Sequence, residues 1–141
     1  MVPKFRGKRK DNGEWVVGVP IPNSFCNVVH MIPILLTDKV AYPPERLHEY
    51  LIEIVPETLG QSTGLLNCET EDGKNLEGWE GDIADVGWSE KTGNFNSHRI
   101  ILKSPFDYST DEARWLIHAE YIIIRGNIYE NPELLEPANE N

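Results

Sequence analysis

Turn residues punctuate this chain too often for long regular elements. Its 141 residues include 11 glycines and 10 prolines, many of them set between short runs of Val, Ile, Leu, Trp and Tyr. Proline fixes φ and removes a backbone donor, while glycine admits conformations closed to other residues. A chain divided in this way builds short strands and hairpins rather than long helices. Asp11-Asn12-Gly13 separates runs at 5–9 and 14–21, and in the second run Trp15, Val17 and Val19 alternate with Val16 and Gly18. Asn-Gly between alternating residues predicts a tight hairpin, with positive φ supplied by the two turn residues.

Further strands are expected at 28–36, 50–55, 83–88, 95–102 and 121–124. Pro43-Pro44 excludes a long helix between the first two, and Glu90-Lys91-Thr92-Gly93 predicts a second hairpin between 83–88 and 95–102. Tyr121-Ile122-Ile123-Ile124 is apolar at every position, the pattern of a strand covered on both faces. Helix signals are sparse. Ser109-Thr110-Asp111-Glu112 has a hydroxyl followed three residues later by a carboxylate, a capping box that starts a short helix through Ala113, Leu116 and Ile117. Asn131-Pro132-Glu133 offers a cap residue and then proline at the first helical position. The fold class expected is therefore mainly β or α+β: short strands and hairpins in a barrel-like or curved-sheet core, with one or two short helices. A single domain over 1–136 and a frayed tail at 137–141 complete this reading.

Thirteen basic and 23 acidic side chains give a formal charge of −10, which disfavours phosphate backbones and anionic lipid as general partners. The charge is unevenly placed. Residues 1–10 carry five basic and no acidic side chains, +5, and the remainder carries −15. No apolar run approaches the ~20 residues that cross a bilayer. Residues 1–10 are basic but lead into Asp11-Asn12-Gly13 rather than an apolar stretch, so they do not read as a secretory signal. Cys26 and Cys68 are expected as two reduced, buried thiols of a cytoplasmic protein.

Several constellations have residue types that could carry chemistry. Gly60-Gln61-Ser62-Thr63-Gly64 matches the G-x-S-x-G elbow of serine hydrolases, but no helix-forming run follows it and no strand–helix alternation surrounds it. Seven carboxylates fall between Glu69 and Asp85, and Glu77, Glu80, Asp82 and Asp85 are the candidate ligands for a hard divalent cation. A solvated acidic loop and strand edge is the simpler account. His30, His48, His98 and His118 share no metal-binding spacing, and no nucleotide-binding glycine loop occurs, so no cofactor is expected. Lys4, Arg6, Lys8 and Arg9 around Phe5 form the one basic cluster. It suits a local anion or single-stranded nucleic-acid contact, or else the lysine-rich defence of a sheet edge.

Read together, several blocks resemble the YopX family of small proteins carried by bacteriophages and prophages. The start, Lys4-Phe5-Arg6-Gly7-Lys8-Arg9 with Asp11-Asn12-Gly13-Glu14-Trp15-Val16 and Gly18, is similar to the family's own. Val55-Pro56-Glu57-Thr58 and Gly60-Gln61 with Thr63-Gly64-Leu65 resemble its central signature, and Glu80-Gly81-Asp82-Ile83 follows. Gly126-Asn127-Ile128-Tyr129-Glu130-Asn131-Pro132-Glu133-Leu134 closes the series. This chain departs from the pattern at Ser62 and Trp79, where tyrosine is usual, and around 73–80 and 110–120, where it looks longer or divergent.

The resemblance implies a β-rich, oligomeric protein of the bacterial cytoplasm, with no catalytic residues to carry over. Together with the failure of every catalytic template, it leads to the expectation of a host or phage protein as partner. It also implies structural work for the signature residues: Gly7, Trp15, Pro56, Glu57, Gly60, Gln61, Gly64, Leu65, Glu80, Gly81, Asp82, Gly126, Asn127, Ile128, Tyr129, Asn131 and Pro132. The Gly-Asp-Ile start is also similar to that of SH3-like small barrels. The alternatives are a nucleic-acid binder using the basic hairpin and a metal-dependent hydrolase using the 69–85 carboxylates.

Overall fold

The computed structural model describes residues 4–22, 27–33, 44–66, 68–104 and 106–136, in two compact units, 1–61 and 62–141. The first unit is an antiparallel sheet. Its strands are β1 (Phe5–Lys8), β2 (Trp15–Pro22), β3 (Val29–Pro33), β4 (Ile52–Ile54) and β5 (Gly60–Gln61), in the order β4-β3-β2-β1-β5. Pro44–Glu49 and Pro56–Thr58 are 3₁₀ turns. Cys26, Pro43 and residues 34–36 of the expected third strand lie outside the described residues.

The first hairpin forms in the expected place but with a wider turn. Arg9 N–H donates to the Glu14 carbonyl at 2.8 Å and Gly13 N–H to the Arg9 carbonyl at 2.9 Å, so four residues make the connection. Gly13 takes φ 74° while Asn12 stays at negative φ, because its side chain is used instead as an acceptor for Glu14 N–H at 2.9 Å. A second correction concerns β1, which is not an edge strand. β2 lies on one side of it and β5 on the other, so its alternating Lys and Arg do not defend an open edge.

The sheet curls. Beyond β1, Lys10 N–H donates to the Glu53 carbonyl at 3.0 Å and Val55 N–H to the Lys8 carbonyl at 2.9 Å, around an Arg9–Ile54 bridge. The far strand thus returns to the end of β1 through one bridge, giving a curved sheet rather than a closed barrel. Met31 and Ile54 are fully buried inside it, with Val29, Phe5, Val16 and Leu59 around them. Gly7 faces the same way, and a Cβ there would stand 2.6 Å from Ile54 Cδ1.

The second unit is a mixed sheet with one helix. Its strands are β6 (Cys68–Glu69), β7 (Asn75–Leu76), β8 (Asp82–Ser89), β9 (Phe95–Ile101) and β10 (Tyr121–Asn127), in the order β7-β6-β10-β8-β9. β10 runs parallel to β6 and antiparallel to β8. Strands flank both of its edges, but of the run 121–124 only Ile122 is buried, so the run is not covered on both faces as its apolar pattern predicts. Gly93, at φ 87°, closes the β8–β9 turn. Ala84, Val86, Ile100, Leu102, Ile122 and Cys68 form the core, with Trp115 and Leu116 of the helix packed against it. Each larger side chain buried there contributes ~1.5–3 kcal/mol.

The helix, α1 (Thr110–His118), begins on the expected capping box. Glu112 N–H donates to Ser109 Oγ at 3.1 Å, and Ser109 N–H returns to Glu112 Oε1 at 3.0 Å. At the carboxyl end Pro132–Leu135 is a 3₁₀ turn, and Asn131 does not cap it. Its Oδ1 instead accepts Asn127 N–H at 3.2 Å. Among the described residues no helix is long and apolar enough to cross a membrane.

Candidate functional site

Pleating places Arg6 and Lys8 on the outer side of β1, opposite the face that carries Phe5 and Gly7 into the core. Cross-strand pairing sets Lys8 beside Trp15 and Arg6 beside Val17. The Arg6 guanidinium lies 4.2 Å above the Trp15 ring centroid and the Lys8 ammonium 5.8 Å from it, a cation–π arrangement. Lys4 precedes them by the same two-residue step. Arg9 departs from this group. It grips Asp11 through Nε at 3.0 Å and Nη2 at 2.8 Å, and Lys10 pairs with Glu53 at 3.1 Å. The fork raises the Arg9 pKa and lowers that of Asp11.

The central signature begins with a turn around a buried threonine. Pro56 and Glu57 open the 3₁₀ turn, and Thr58 Oγ1 donates to the Val55 carbonyl at 2.6 Å while accepting Lys8 N–H at 2.9 Å. Gly60 and Gln61 then form β5. Ser62 donates to Glu77, and its oxygen accepts Gly64 N–H at 3.2 Å. Gly64 has φ 78°, and Leu65 packs on the second core. Thr63 Oγ1 donates to the Gly78 carbonyl at 2.7 Å. Ser62 is therefore a turn residue beside an acid, bridged to Trp79 rather than exposed on a strand-to-helix elbow.

The candidate carboxylates diverge. Glu77 serves Ser62, and the Asp82 carboxylate, 3 % exposed as a residue, accepts Trp79 N–H at 2.9 Å. Three positions along β8, Asp85 points to the opposite face. There it takes Arg99 Nε at 2.8 Å and Nη2 at 3.0 Å, and Arg125 Nε at 2.9 Å. Arg125 reaches on to Glu71 at 2.6 Å, and Arg99 Nη1 donates to the Leu134 carbonyl at 3.2 Å. The Arg99 bonds, with Arg125 behind them, hold the Asp85 pKa below the ordinary range against the opposing effect of burial. Among the described residues no three His, Cys, Asp or Glu side chains converge as metal ligands. Glu80 begins the turn before β8 and belongs to no such group.

The closing signature forms a turn tied to that same strand. Gly81, at φ 93°, lies under the Tyr129 ring, whose Cε2 would be 2.9 Å from an added Cβ. Its carbonyl accepts Ile128 N–H at 2.9 Å. Asn127 Oδ1 accepts Tyr129 N–H at 3.1 Å and Glu130 N–H at 2.9 Å. Asn131 crowds Gly126, where any side chain would collide with it, and Pro132 starts the last turn.

Sequence reasoning missed a group of four rings. His98 of β9 stacks on Trp115 of α1 at 4.0 Å and 1°, and Trp88 lies 5.5 Å from His98 and 6.3 Å from His118. These residues come from three elements, β8, β9 and α1, so no local pattern announces the group. Cys68 is buried with its thiol pKa pushed up to about 11, by desolvation first and the nearby Asp82 second.

The YopX protein family profile matches residues 4–136. No curated protein and no solved structure matches the chain.

Proposed function

The chain belongs to the YopX family, and from that premise we propose that it is a non-enzymatic, oligomeric accessory protein. It is encoded by a phage or prophage and works in the bacterial host cytoplasm by binding a host or phage protein. The observation that carries this reading is the use made of the polar residues in and between the signature blocks. Thr58, Ser62, Asp82, Asn127 and Asn131 close turns with main-chain groups or a neighbouring acid, and Asp85 is locked between two arginines. Such bonds build a rigid surface for recognition, and none pairs a nucleophile with a histidine base.

Recovery of the tagged full chain from a lysogenic host tests the reading. Self-association with a stoichiometric protein partner is expected. A chain recovered alone, as a monomer, contradicts it.

The arrangement of Arg6 and Lys8 about Trp15 favours one second reading, a local contact with single-stranded nucleic acid. The first unit carries seven basic and seven acidic residues, so the net −10 belongs to residues 62–141. That removes part of the charge objection for this face. Binding should then weaken steeply with salt and on neutralising Lys4, Arg6 and Lys8. Absence of binding at low salt to single- and double-stranded probes rejects it.

A further inference from the structure

The sheet of the second unit ends on β9. Glu90 N–H donates to the Asn94 carbonyl and Leu102 N–H to the Asp82 carbonyl, each at 2.8 Å, and the register between them is unbroken. Antiparallel ladders alternate, so Asn96, His98 and Ile100 direct their main-chain groups toward β8. Phe95, Ser97, Arg99 and Ile101 direct theirs away from β8, to the side on which no strand pairs with β9 among the described residues. Sheet edges are normally protected by short strands, charged side chains, proline or a bulge. The opposite edge, β7, is two residues long. β9 has seven residues, FNSHRII, with no lysine, proline or bulge, and the charge of its one arginine, Arg99, is held by the Asp85 fork.

We infer that β9 pairs antiparallel with β9 of a second copy of this chain, about a two-fold axis at His98. The inference rests on the oligomeric reading above and gives it a surface. In this register Phe95 faces Ile101 of the second copy and Ser97 faces Arg99. Both are hydrogen-bonded pairs, and with their symmetry mates they form about eight N–H···O bonds. The side chains suit the same arrangement. Phe95 is 59 % exposed and already stacks on Tyr121 at 5.5 Å and 11°, so an aliphatic residue across the strand extends an existing apolar group. Arg99 meets a serine and keeps its Asp85 fork. Sliding by two residues in one direction opposes Arg99 to itself, and in the other sets it against Phe95. Either slip loses a pair of ladder bonds.

Sedimentation velocity of the full chain from about 1 to 100 µM tests the pairing in three forms. Ser97→Pro deletes an outward donor without touching the β8 ladder, and Ser97→Lys places a cation against Arg99 of the second copy. The wild type should dimerise, and both variants should weaken the dimer by at least about tenfold with unchanged far-UV circular dichroism. Should Ser97→Pro fail to fold, Ser97→Lys decides alone. In a Cys26→Ser chain, His98→Cys should oxidise to a disulfide dimer and Asn96→Cys should not. Across the axis the His98 Cα atoms stand about 4.5 Å apart, within disulfide reach. Assembly that survives both Ser97 variants, or that excludes His98→Cys cross-linking, overturns edge pairing and leaves the oligomer standing. A monomer at every concentration overturns both.

Discussion

Asp85→Asn removes one charge from the cluster that ties β8, β9 and β10 together while keeping the side chain's shape. Asp85 accepts three charge-assisted bonds from two arginines, and its side chain is 14 % exposed. A hydrogen bond to a charged group is worth ~1.5–3 kcal/mol, and leaving one member of a fully buried pair alone costs ~3–5 kcal/mol. Here Arg99 is 38 % exposed and Arg125 29 %. Solvent screens the two cations once the acid is gone, and the Arg125–Glu71 pair survives. The expected loss is therefore about 2 kcal/mol, a fall in Tm of ~4–8 °C for a chain of this size.

The pH dependence gives a sharper test. The folded pKa of Asp85 is lowered, so its contribution is fully present above the unfolded value of ~3.9 and is lost as pH falls through the folded value. Urea unfolding of wild type and Asp85→Asn should give a constant difference from about pH 8 to 5 and a shrinking one below about pH 4. A difference under ~0.5 kcal/mol at neutral pH, the range of an ordinary surface pair, refutes the reasoning. So does a difference that grows in acid.

Gly81→Ala forces a side chain onto φ 93° beneath Tyr129 and should destabilise by about 2 kcal/mol or more; Gly93→Ala, with open space around it, should cost only the φ penalty. Ser109→Ala removes half of the capping box and should cost ~1 kcal/mol by chemical denaturation, whereas Ser109→Asp should retain most of the cap. In a Cys26→Ser chain, Cys68 should react with a disulfide reagent at pH 8 only after unfolding, because burial favours the neutral thiol. Rapid labelling of the native protein would contradict its placement in the core.

Local chemistry made some of this fold legible. The Ser109–Glu112 box, Gly93 in the second turn and the apolar run at 121–124 each rest on short-range sterics or hydrogen bonding. They appear where the residues place them. The reading was weaker where tertiary context decides. In β2 the alternation was correct, but the smaller residues Val16 and Gly18 turn inward while Val19 and Ile21 are exposed. Hydrophobicity alone points the other way. Close approach of Gly7 to Ile54 needs small residues inside, a constraint set by residues distant in sequence.

The two-residue strands β5, β6 and β7 were missed because segments so short carry no periodicity. Four carboxylates close in sequence suggested one cation, yet pleating sends Asp82 and Asp85 to opposite faces of β8. Conversely, Asp85 meets Arg99 and Arg125 from 14 and 40 residues away. No spacing in the sequence marks that cluster.

Assembly of this protein for recognition of a partner is tested by the mass of the purified full chain, from size-exclusion chromatography with light scattering across a dilution series. A multiple of the 16.1 kDa chain mass that falls toward it on dilution is expected. A mass of 16.1 kDa that does not change up to tens of micromolar overturns the proposal.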